Sequence, residues 1–281
     1  NTNFAHIYHD YFHKVDGLKA DVITAIAMFY DLDDPHKFLN DIFATLRGNG
    51  VFIIQQNYLP AMLKSNAFDN IVHEHVEYYS LTSLLPLLEK HGLETFRVEF
   101  NEVNGGSMRT YHCFKGQREI ELSVHEALKS ERELGLDTLE PYNEFALRVH
   151  DLKATTLQIL EEAKKKGVTV HVYGASTRGN TLLQYYGITS DLIPFAADRN
   201  PRKHGGEIRG TGIKIISEEE SRKMKPKVYF VLPWYFAKEF IKREVEFLMG
   251  GGDMLFPLPF VHLVNMKTTR LVFDSKPKLL V

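Results

Sequence analysis

The most constraining feature of the sequence is a short apolar run that ends in glycine and leads into a helical segment. Val168 to Tyr173 (VTVHVY) has the composition of a buried strand, Gly174 turns the chain, and Asn180 to Tyr186 has helical spacing. Leu192 to Ala197 is the next apolar run. Strands that alternate with helices in this way predict a parallel α/β sheet with right-handed connections.

The first half of the sequence begins with the same alternation. Asp21 to Met28 and Val51 to Ile54 are predicted strands on either side of a predicted helix, Pro35 to Leu46. Two more strands, Leu93 to Phe100 and Ser107 to Phe114, are joined by a tight turn at Asn104-Gly105-Gly106 and follow a helix from Leu81 to His91. We therefore expect the first sheet to end in antiparallel strands.

The remaining elements belong to the second half. A strand from Tyr229 to Leu232, a helix from Ala237 to Met249 and a strand from Met254 to Leu258 are predicted there. The length of 281 residues favours two domains. We predict an α/β chain with two Rossmann-like domains, at residues 1–116 and 167–281, joined by a charged helical connector at residues 117–166.

Composition excludes several classes of protein. A formal net charge of −2 leaves no overall basic field to attract nucleic acid. Cys113 is the only cysteine, which excludes an internal disulfide framework and a zinc site with several cysteines, and fits a reducing cytoplasm. No apolar run approaches the roughly 18 residues of a membrane span. We expect a cytoplasmic protein with a small-molecule partner.

The densest polar cluster is His73-Glu74-His75, followed closely by Tyr78 and Tyr79. An imidazole can remove a proton from a carbon next to a carbonyl, a carboxylate can orient the imidazole, and a phenol can donate to the developing enolate. A polar surface loop explains the same residues. A metal site is a third reading, although the two histidines lack the i, i+4 spacing of a helical zinc site.

The turn from Gly174 to Asn180 (GASTRGN) is a second candidate, because a strand passes there into a helix. Backbone N–H groups and the helix dipole attract anions at such a turn, and Ser176, Thr177 and Arg178 can add phosphate contacts. We expect a nucleotide diphosphate at this position. The two glycines match only the outer positions of the dinucleotide fingerprint, and an ordinary capped turn is the alternative.

Three further features follow predicted strands of the second domain. Asp198 stands where an acidic residue often bonds a ribose hydroxyl, or serves as a turn residue before a proline. Lys203 to Gly212 (KHGGEIRGTG) can close over phosphates or form a solvated loop. Trp234, within Pro233 to Phe236 (PWYF), can stack on a base or sugar or pack in a core.

Together these residues resemble the sugar C-methyltransferases, which modify nucleotide-linked keto-sugars in deoxysugar biosynthesis. The resemblance rests on the following motifs, in chain order: DVITAIAMFYDLDDP, FDNIVHEHVEYYSL, NGGSMRTY, VYGASTRGNTLLQYYGI, AADRNPRKHGGEIRGTGIKI, VLPWYF and GGDMLFPLP. They cover nearly the whole chain from Asp21 to Leu258.

The resemblance implies a domain organisation. Members of this family have an N-terminal zinc lobe rich in cysteine, a central Rossmann-like methyltransferase domain and a C-terminal Rossmann-like domain that holds the nucleotide sugar. Residues 1–116 are then expected to form a partial class I methyltransferase sheet and residues 167–281 the complete nucleotide-sugar-binding domain. The zinc lobe and the glycine-rich loop for S-adenosylmethionine are expected to precede Asn1, so we expect no metal in this chain.

The resemblance also implies roles for individual residues. His75 would be the general base, with Glu74 beside it and Tyr79 in the following aromatic pair. Substrate contacts are expected from Tyr58, His73, Ser107, Arg109, Gly174, Ser176, Thr177, Arg178, Asn180, Asp198, Lys203 and Trp234. Contacts with S-adenosylmethionine are expected from Ala25, Ile26, Ala27 and Tyr30.

The implied reaction is methylation of a nucleotide-linked keto-deoxysugar through a base-generated enolate. A nucleotide-sugar-binding protein without turnover is the alternative from a different class. An NAD-dependent sugar-nucleotide oxidoreductase is the third. The sequence does not indicate an oligomeric state.

Overall fold

A computed structural model describes residue 12 and residues 17–268. Its strands are, in chain order, β1 (Ala20–Ile26), β2 (Leu46–Asn57), β3 (Leu93–Asn101), β4 (Ser107–Phe114), β5 (Val170–Tyr173), β6 (Phe195–Asp198), β7 (Glu207–Ile208), β8 (Ile213–Ser217), β9 (Val228–Val231), β10 (Asp253–Phe256) and β11 (His262–Val264). Its α-helices are α1 (Pro35–Thr45), α2 (Leu59–Lys64), α3 (Leu81–Lys90), α4 (Leu122–Glu133), α5 (Glu140–Lys165), α6 (Thr177–Tyr186), α7 (Glu218–Lys223), α8 (Ala237–Arg243) and α9 (Val245–Met249).

The chain divides into two units that are not continuous in sequence. Unit 1 contains the described residues up to Tyr58, together with Val76–Asn101 and Ser107–Glu133. Unit 2 contains the described residues from Leu134 onward, and also takes Leu59–His75 and Glu102–Gly106 from the first half of the sequence. The predicted domain limits at residues 1 and 281 lie outside the described residues, and the limits at 116 and 166 stay predictions.

Unit 1 is built on a four-stranded sheet in the order β1-β2-β4-β3. Strands β1 and β2 are parallel, whereas β4 is antiparallel to both β2 and β3. The predicted partial Rossmann-like sheet with antiparallel end strands is therefore confirmed. Helix α1 begins where expected because Asp34 caps it, accepting a hydrogen bond from the Lys37 N–H at 3.0 Å, and proline occupies the first turn.

Unit 2 is built on a seven-stranded sheet in the order β11-β10-β9-β5-β6-β8-β7. The five central strands are parallel, as predicted for a Rossmann-like domain. The short edge strands β7 and β11 run antiparallel and were not expected from the sequence. β7 lies within the glycine-rich stretch from Lys203 to Gly212, and β8 begins directly after that stretch.

The predicted helix from Ala237 to Met249 is two helices, α8 and α9, separated by Glu244. The Glu244 side chain is buried, and its carboxylate accepts hydrogen bonds from the Tyr173 hydroxyl at 2.7 Å and from the Arg222 guanidinium. A buried charge needs such partners. The helix breaks where this carboxylate turns inward.

No helix among the described residues is both long and apolar enough to cross a membrane.

His112 is a buried titratable group in the sheet of unit 1. Its two ring nitrogens lie 2.8 Å from the Thr95 and Thr110 hydroxyl oxygens, and burial lowers the pKa of the imidazole to about 3. The unfolded chain binds a proton at this residue near pH 6.5. The unfolded state therefore gains protons as the pH falls below that value, whereas the folded state does not, and folding is destabilised.

We predict that the free energy of unfolding falls more steeply between pH 7 and pH 5 in the unsubstituted chain than in His112→Gln, with a difference of about 2 kcal/mol. Glutamine keeps a donor and an acceptor but does not titrate. Urea unfolding at the two pH values measures the difference, and His150→Gln, at an exposed site on α5, is the control. Parallel pH dependence in all three proteins would contradict the assignment of His112.

Candidate functional site

A cavity of about 310 Å³ lies within unit 2 at the carboxyl ends of the parallel strands. Ligands bind in open α/β sheets at the crevice where the strand order reverses. Here that crevice lies beside β5, because β6 and β8 follow on one side of β5 and the chain then crosses to β9 on the other side. The lining residues come from the ends of these strands and from α8: Tyr173, Gly174, Ser176, Ala197, Asp198, Arg199, Glu218, Pro233, Tyr235, Phe236, Glu239, Phe240 and Arg243.

The turn after β5, residues 174–176, requires its glycine. Gly174 has a φ of +87°, and a Cβ atom there would lie 2.8 Å from Cγ and 2.9 Å from Cδ of Pro233. Gly179 allows the first turn of α6 to approach Leu232, since its Cβ would lie 2.7 Å from that side chain. Both predicted glycines therefore let the backbone approach the side chains of Pro233 and Leu232 beside the cavity.

Helix α6 begins at this turn with Ser176 as its cap. The Ser176 hydroxyl oxygen accepts a hydrogen bond from the Gly179 N–H at 3.0 Å. Ser176 thus caps the helix, as in the ordinary capped turn that the sequence left open as an alternative. Thr177 is exposed in the first turn, where helical N–H groups lack intrahelical partners. The Asn180 side chain accepts from the Gln184 amide at 3.1 Å.

Asp198 and Lys203 hold the turn in place. The Asp198 carboxylate accepts from the Ala175 N–H at 2.8 Å through one oxygen and from the Asn200 N–H at 2.8 Å through the other. The Lys203 ammonium donates to the Ala175 carbonyl at 2.6 Å and lies 3.4 Å from Asp198. A carboxylate has about four acceptor positions, so Asp198 keeps capacity for a ligand hydroxyl.

The aromatic wall of the cavity differs from the prediction. Trp234 is buried, is absent from the lining, and donates its indole N–H to Asp69 at 3.2 Å. Its neighbours Tyr235 and Phe236 line the cavity instead. Both follow β9 in the predicted PWYF motif, so the sequence indicated the segment but not which rings line the cavity.

A charged wall faces these rings. The Arg243 guanidinium donates to Glu218 at 2.7 Å and to the Tyr173 hydroxyl at 3.0 Å. Arg199 and Glu239 also line the cavity, and both are exposed. This wall offers both charge signs to a ligand, and no sequence pattern pointed to Arg243 or Glu218.

Arg178 forms a buried ion pair within unit 2. Its Nε and Nη2 atoms each lie 2.9 Å from Oδ2 of Asp69, and Nη1 donates to the Asn104 carbonyl at 2.8 Å. The Arg178 and Asp69 side chains are 13% and 1% exposed. This arrangement differs from the predicted phosphate contact, because the guanidinium is directed at protein acceptors. Asp69 was not identified from the sequence.

The predicted catalytic residues His75 and Glu74 follow Asp69 in unit 2. His75 is half-buried, Glu74 is exposed, and the side chain of His73 is 85% exposed. The nearest His73 nitrogen and Glu74 oxygen are 3.9 Å apart, which is too far for a hydrogen bond. Among the residues that the structure describes, no group of three His, Cys, Asp or Glu side chains could hold a metal ion.

Four of the predicted catalytic and substrate-binding residues lie in unit 1. Burial and then the nearby Glu77 charge raise the pKa of Tyr79 to about 12, so its phenol is a hydrogen-bond donor at neutral pH. Burial, with Glu131 nearby, also raises the pKa of Tyr58. Ser107 is buried, and Arg109 donates to the Gln55 side chain at 2.7 Å.

The residues predicted to contact S-adenosylmethionine lie at the carboxyl end of β1 or just beyond it. Ala25 and Tyr30 are buried, and Ile26 is exposed. Ala27 adopts a φ of +51°, and its N–H donates to the Gln55 carbonyl at 2.8 Å. None of the four side chains is charged, so alone they leave the charged groups of that cofactor without partners.

Both halves of the sequence match known protein families. A family model described as C-methyltransferase C-terminal domain matches residues 102–259, and a model described as methyltransferase domain matches residues 2–98. C-methyltransferase NovU from Streptomyces niveus is 35% identical over 242 residues, covering 86% of this chain. The chain spans 58% of the length of NovU.

Among solved structures, a LepI variant in complex with SAH and a substrate analogue matches with a TM-score of 0.33 and 11% identity. That match covers 38% of this chain and 29% of the LepI chain. Similarity at this level indicates nothing further about the site.

We predict that Gly174→Ala destabilises unit 2 more than Gly205→Ala. Both glycines have positive φ, at +87° and +81°, but a Cβ at Gly205 would meet no atom within 4 Å. Left-handed backbone costs about 1–2 kcal/mol in each variant, and the overlap with Pro233 adds about 1–3 kcal/mol at Gly174. Thermal unfolding of both variants measures the difference, and equal losses would contradict the close approach.

Proposed function

Because the chain belongs to the family of C-methyltransferases that share this C-terminal domain, we propose that it acts in methylation of a carbon atom of a nucleotide-linked keto-deoxysugar. The methyl group would come from S-adenosylmethionine. The observation that carries the proposal is the unit 2 cavity, in which a glycine turn, an acidic residue at the end of β6 and an aromatic wall converge. NovU, by its name, is a C-methyltransferase.

The cavity supports a nucleotide as the carrier of the sugar. Thr177, which is exposed in the first turn of α6, offers its N–H to a diphosphate, while Tyr235 and Phe236 provide apolar surface for a base. The Asp198 carboxylate, already fixed by two backbone N–H groups, can accept a hydrogen bond from a sugar hydroxyl. A cavity of about 310 Å³ matches part of such a ligand, so the keto-sugar would extend beyond it.

We assign the proton transfer to His75. The imidazole removes the proton from the carbon next to the keto group, the C–H electron pair moves into the new enolate, and the proton stays on the ring. The enolate carbon is then the nucleophile for methylation. Glu74 as an orienting carboxylate and Tyr79 as a donor remain predictions from the family resemblance.

The residues at the end of β1 do not form a complete site for S-adenosylmethionine. They supply apolar surface and one phenol, but no side chain that would pair with the carboxylate and ammonium groups of the cofactor. S-adenosylmethionine supplies an electrophilic methyl group when it is bound. Proton removal by His75 does not require the cofactor, so solvent exchange of that proton can be measured without it.

We predict that the chain catalyses exchange of the proton next to the keto group with deuterium from the solvent. Thymidine- and uridine-diphosphate-linked keto-deoxyglucoses serve as substrates, and loss of the proton signal in NMR measures the rate. His75→Gln should slow exchange by about 100-fold or more, since a general base contributes roughly 10²–10⁴ in rate.

His150→Gln is the matched control, because His150 is exposed on α5 and outside the site. Binding of both sugars without any exchange would favour a nucleotide-sugar-binding protein without turnover. Exchange retained in His75→Gln would exclude His75 as the base.

A further inference from the structure

The 59–75 segment, which ends in His75, is anchored to the rest of unit 2 at three successive places. The Arg148 guanidinium on α5 donates to the Leu63 carbonyl and to the Asn66 side chain, both at 2.8 Å. The Phe68 ring packs 5.4 Å from the Tyr186 ring. Asp69, the next residue, forms the ion pair with Arg178, so the segment is held most firmly just before the polar cluster.

Short turns connect Asp69 to His75. The Val72 N–H donates to the Asn70 carbonyl at 2.9 Å, and the His75 N–H donates to the Val72 carbonyl at 3.1 Å. Val72 is buried between them. Because each turn is closed by a hydrogen bond and only five residues lie between Asp69 and His75, the position of His75 depends on where Asp69 is held.

The Asp69–Arg178 pair also contacts the aromatic wall of the cavity. The Trp234 indole donates to the same carboxylate oxygen that accepts from Arg178. The guanidinium carbon of Arg178 lies 4.4 Å from the centre of the Tyr235 ring, which lines the cavity. The Asp69–Arg178 pair therefore lies between the base-bearing segment and the aromatic wall, and contacts both.

The two oxygens of the Asp69 carboxylate differ in their hydrogen-bond partners. Oδ2 of Asp69 accepts from Arg178 and Trp234, whereas Oδ1 is buried and has no partner among the described residues. A fully buried carboxylate with one bare oxygen is costly, and packing for stability alone would favour apolar residues here. A buried pair of this kind is therefore better explained by the geometry that it imposes than by a gain in stability.

We infer that Asp69 and Arg178 are positioning residues for the base step, and that they set His75 relative to the nucleotide cavity. The inference rests on the proposed function and deepens it. Neither residue needs to touch the keto-sugar. Loss of the pair would displace the imidazole from the acidic carbon while leaving most of the cavity in place, and a displacement of about 1 Å can cost about 100-fold in rate.

The test is Asp69→Asn, which keeps the shape of the side chain and removes its charge. Deuterium exchange into the two keto-deoxyglucose nucleotides, at saturating substrate, should slow at least tenfold, while the calorimetric Kd changes less than threefold. Amide hydrogen exchange at residues 71–75 should rise at the same time. Arg178→Lys, which keeps the charge but not the fork of donors, should give a smaller effect in the same direction.

Ser221→Ala is the control for a general loss of stability. Ser221 is buried in unit 2, where its hydroxyl lies 2.8 Å from His171 and 3.1 Å from the Tyr229 hydroxyl. Equal slowing in Ser221→Ala, or a loss of affinity in Asp69→Asn with a normal saturated rate, would overturn the inference. Unchanged amide exchange at residues 71–75 would overturn it independently of turnover. Absence of substrate exchange in the unsubstituted chain would instead count against the proposed function.

Discussion

The buried ion pair between Asp69 and Arg178 is the interaction on which the arrangement of unit 2 depends. It joins residues that are 109 positions apart in the chain. Removing one partner of such a pair typically costs about 3–5 kcal/mol, because the other charge stays buried without compensation. The pair brings the 59–75 segment and the 102–106 segment, through the Asn104 carbonyl, to the start of α6. Unit 2 is therefore assembled from three separate parts of the sequence.

Local sequence patterns were enough to predict the framework that carries the site. The strand, glycine turn and helix around Gly174 follow from the periodicity of apolar residues and from conformations that only glycine adopts at low cost. The conformations of Gly174 and the cap at Ser176 agree with that reasoning. Asp198 and Lys203 also lie at the turn, although they bind its backbone in this structure.

Other features could not be predicted because they depend on partners distant in sequence. Arg178 follows a glycine turn, and the sequence alone therefore predicted a phosphate contact, whereas its partner in the structure is Asp69, 109 positions away. Trp234 and Tyr235 are equivalent in a one-dimensional pattern, and only the 3-10 turn over Trp234–Phe236 determines which ring reaches the cavity. Glu244 looks like a surface residue of a helix, yet it breaks the helix by bonding Tyr173.

We propose that the unit 2 cavity binds the nucleotide part of the substrate, and the most direct measurement compares two exposed phenylalanines of this unit. Phe236 is 45% exposed and lines the cavity, whereas Phe260 is 62% exposed and does not. Calorimetric titration with the nucleoside diphosphate sugar should show a roughly tenfold weaker Kd for Phe236→Ala, since loss of an aromatic contact costs about 1–2 kcal/mol. Phe260→Ala should bind like the unsubstituted chain. Equal affinity in all three proteins would place the nucleotide elsewhere.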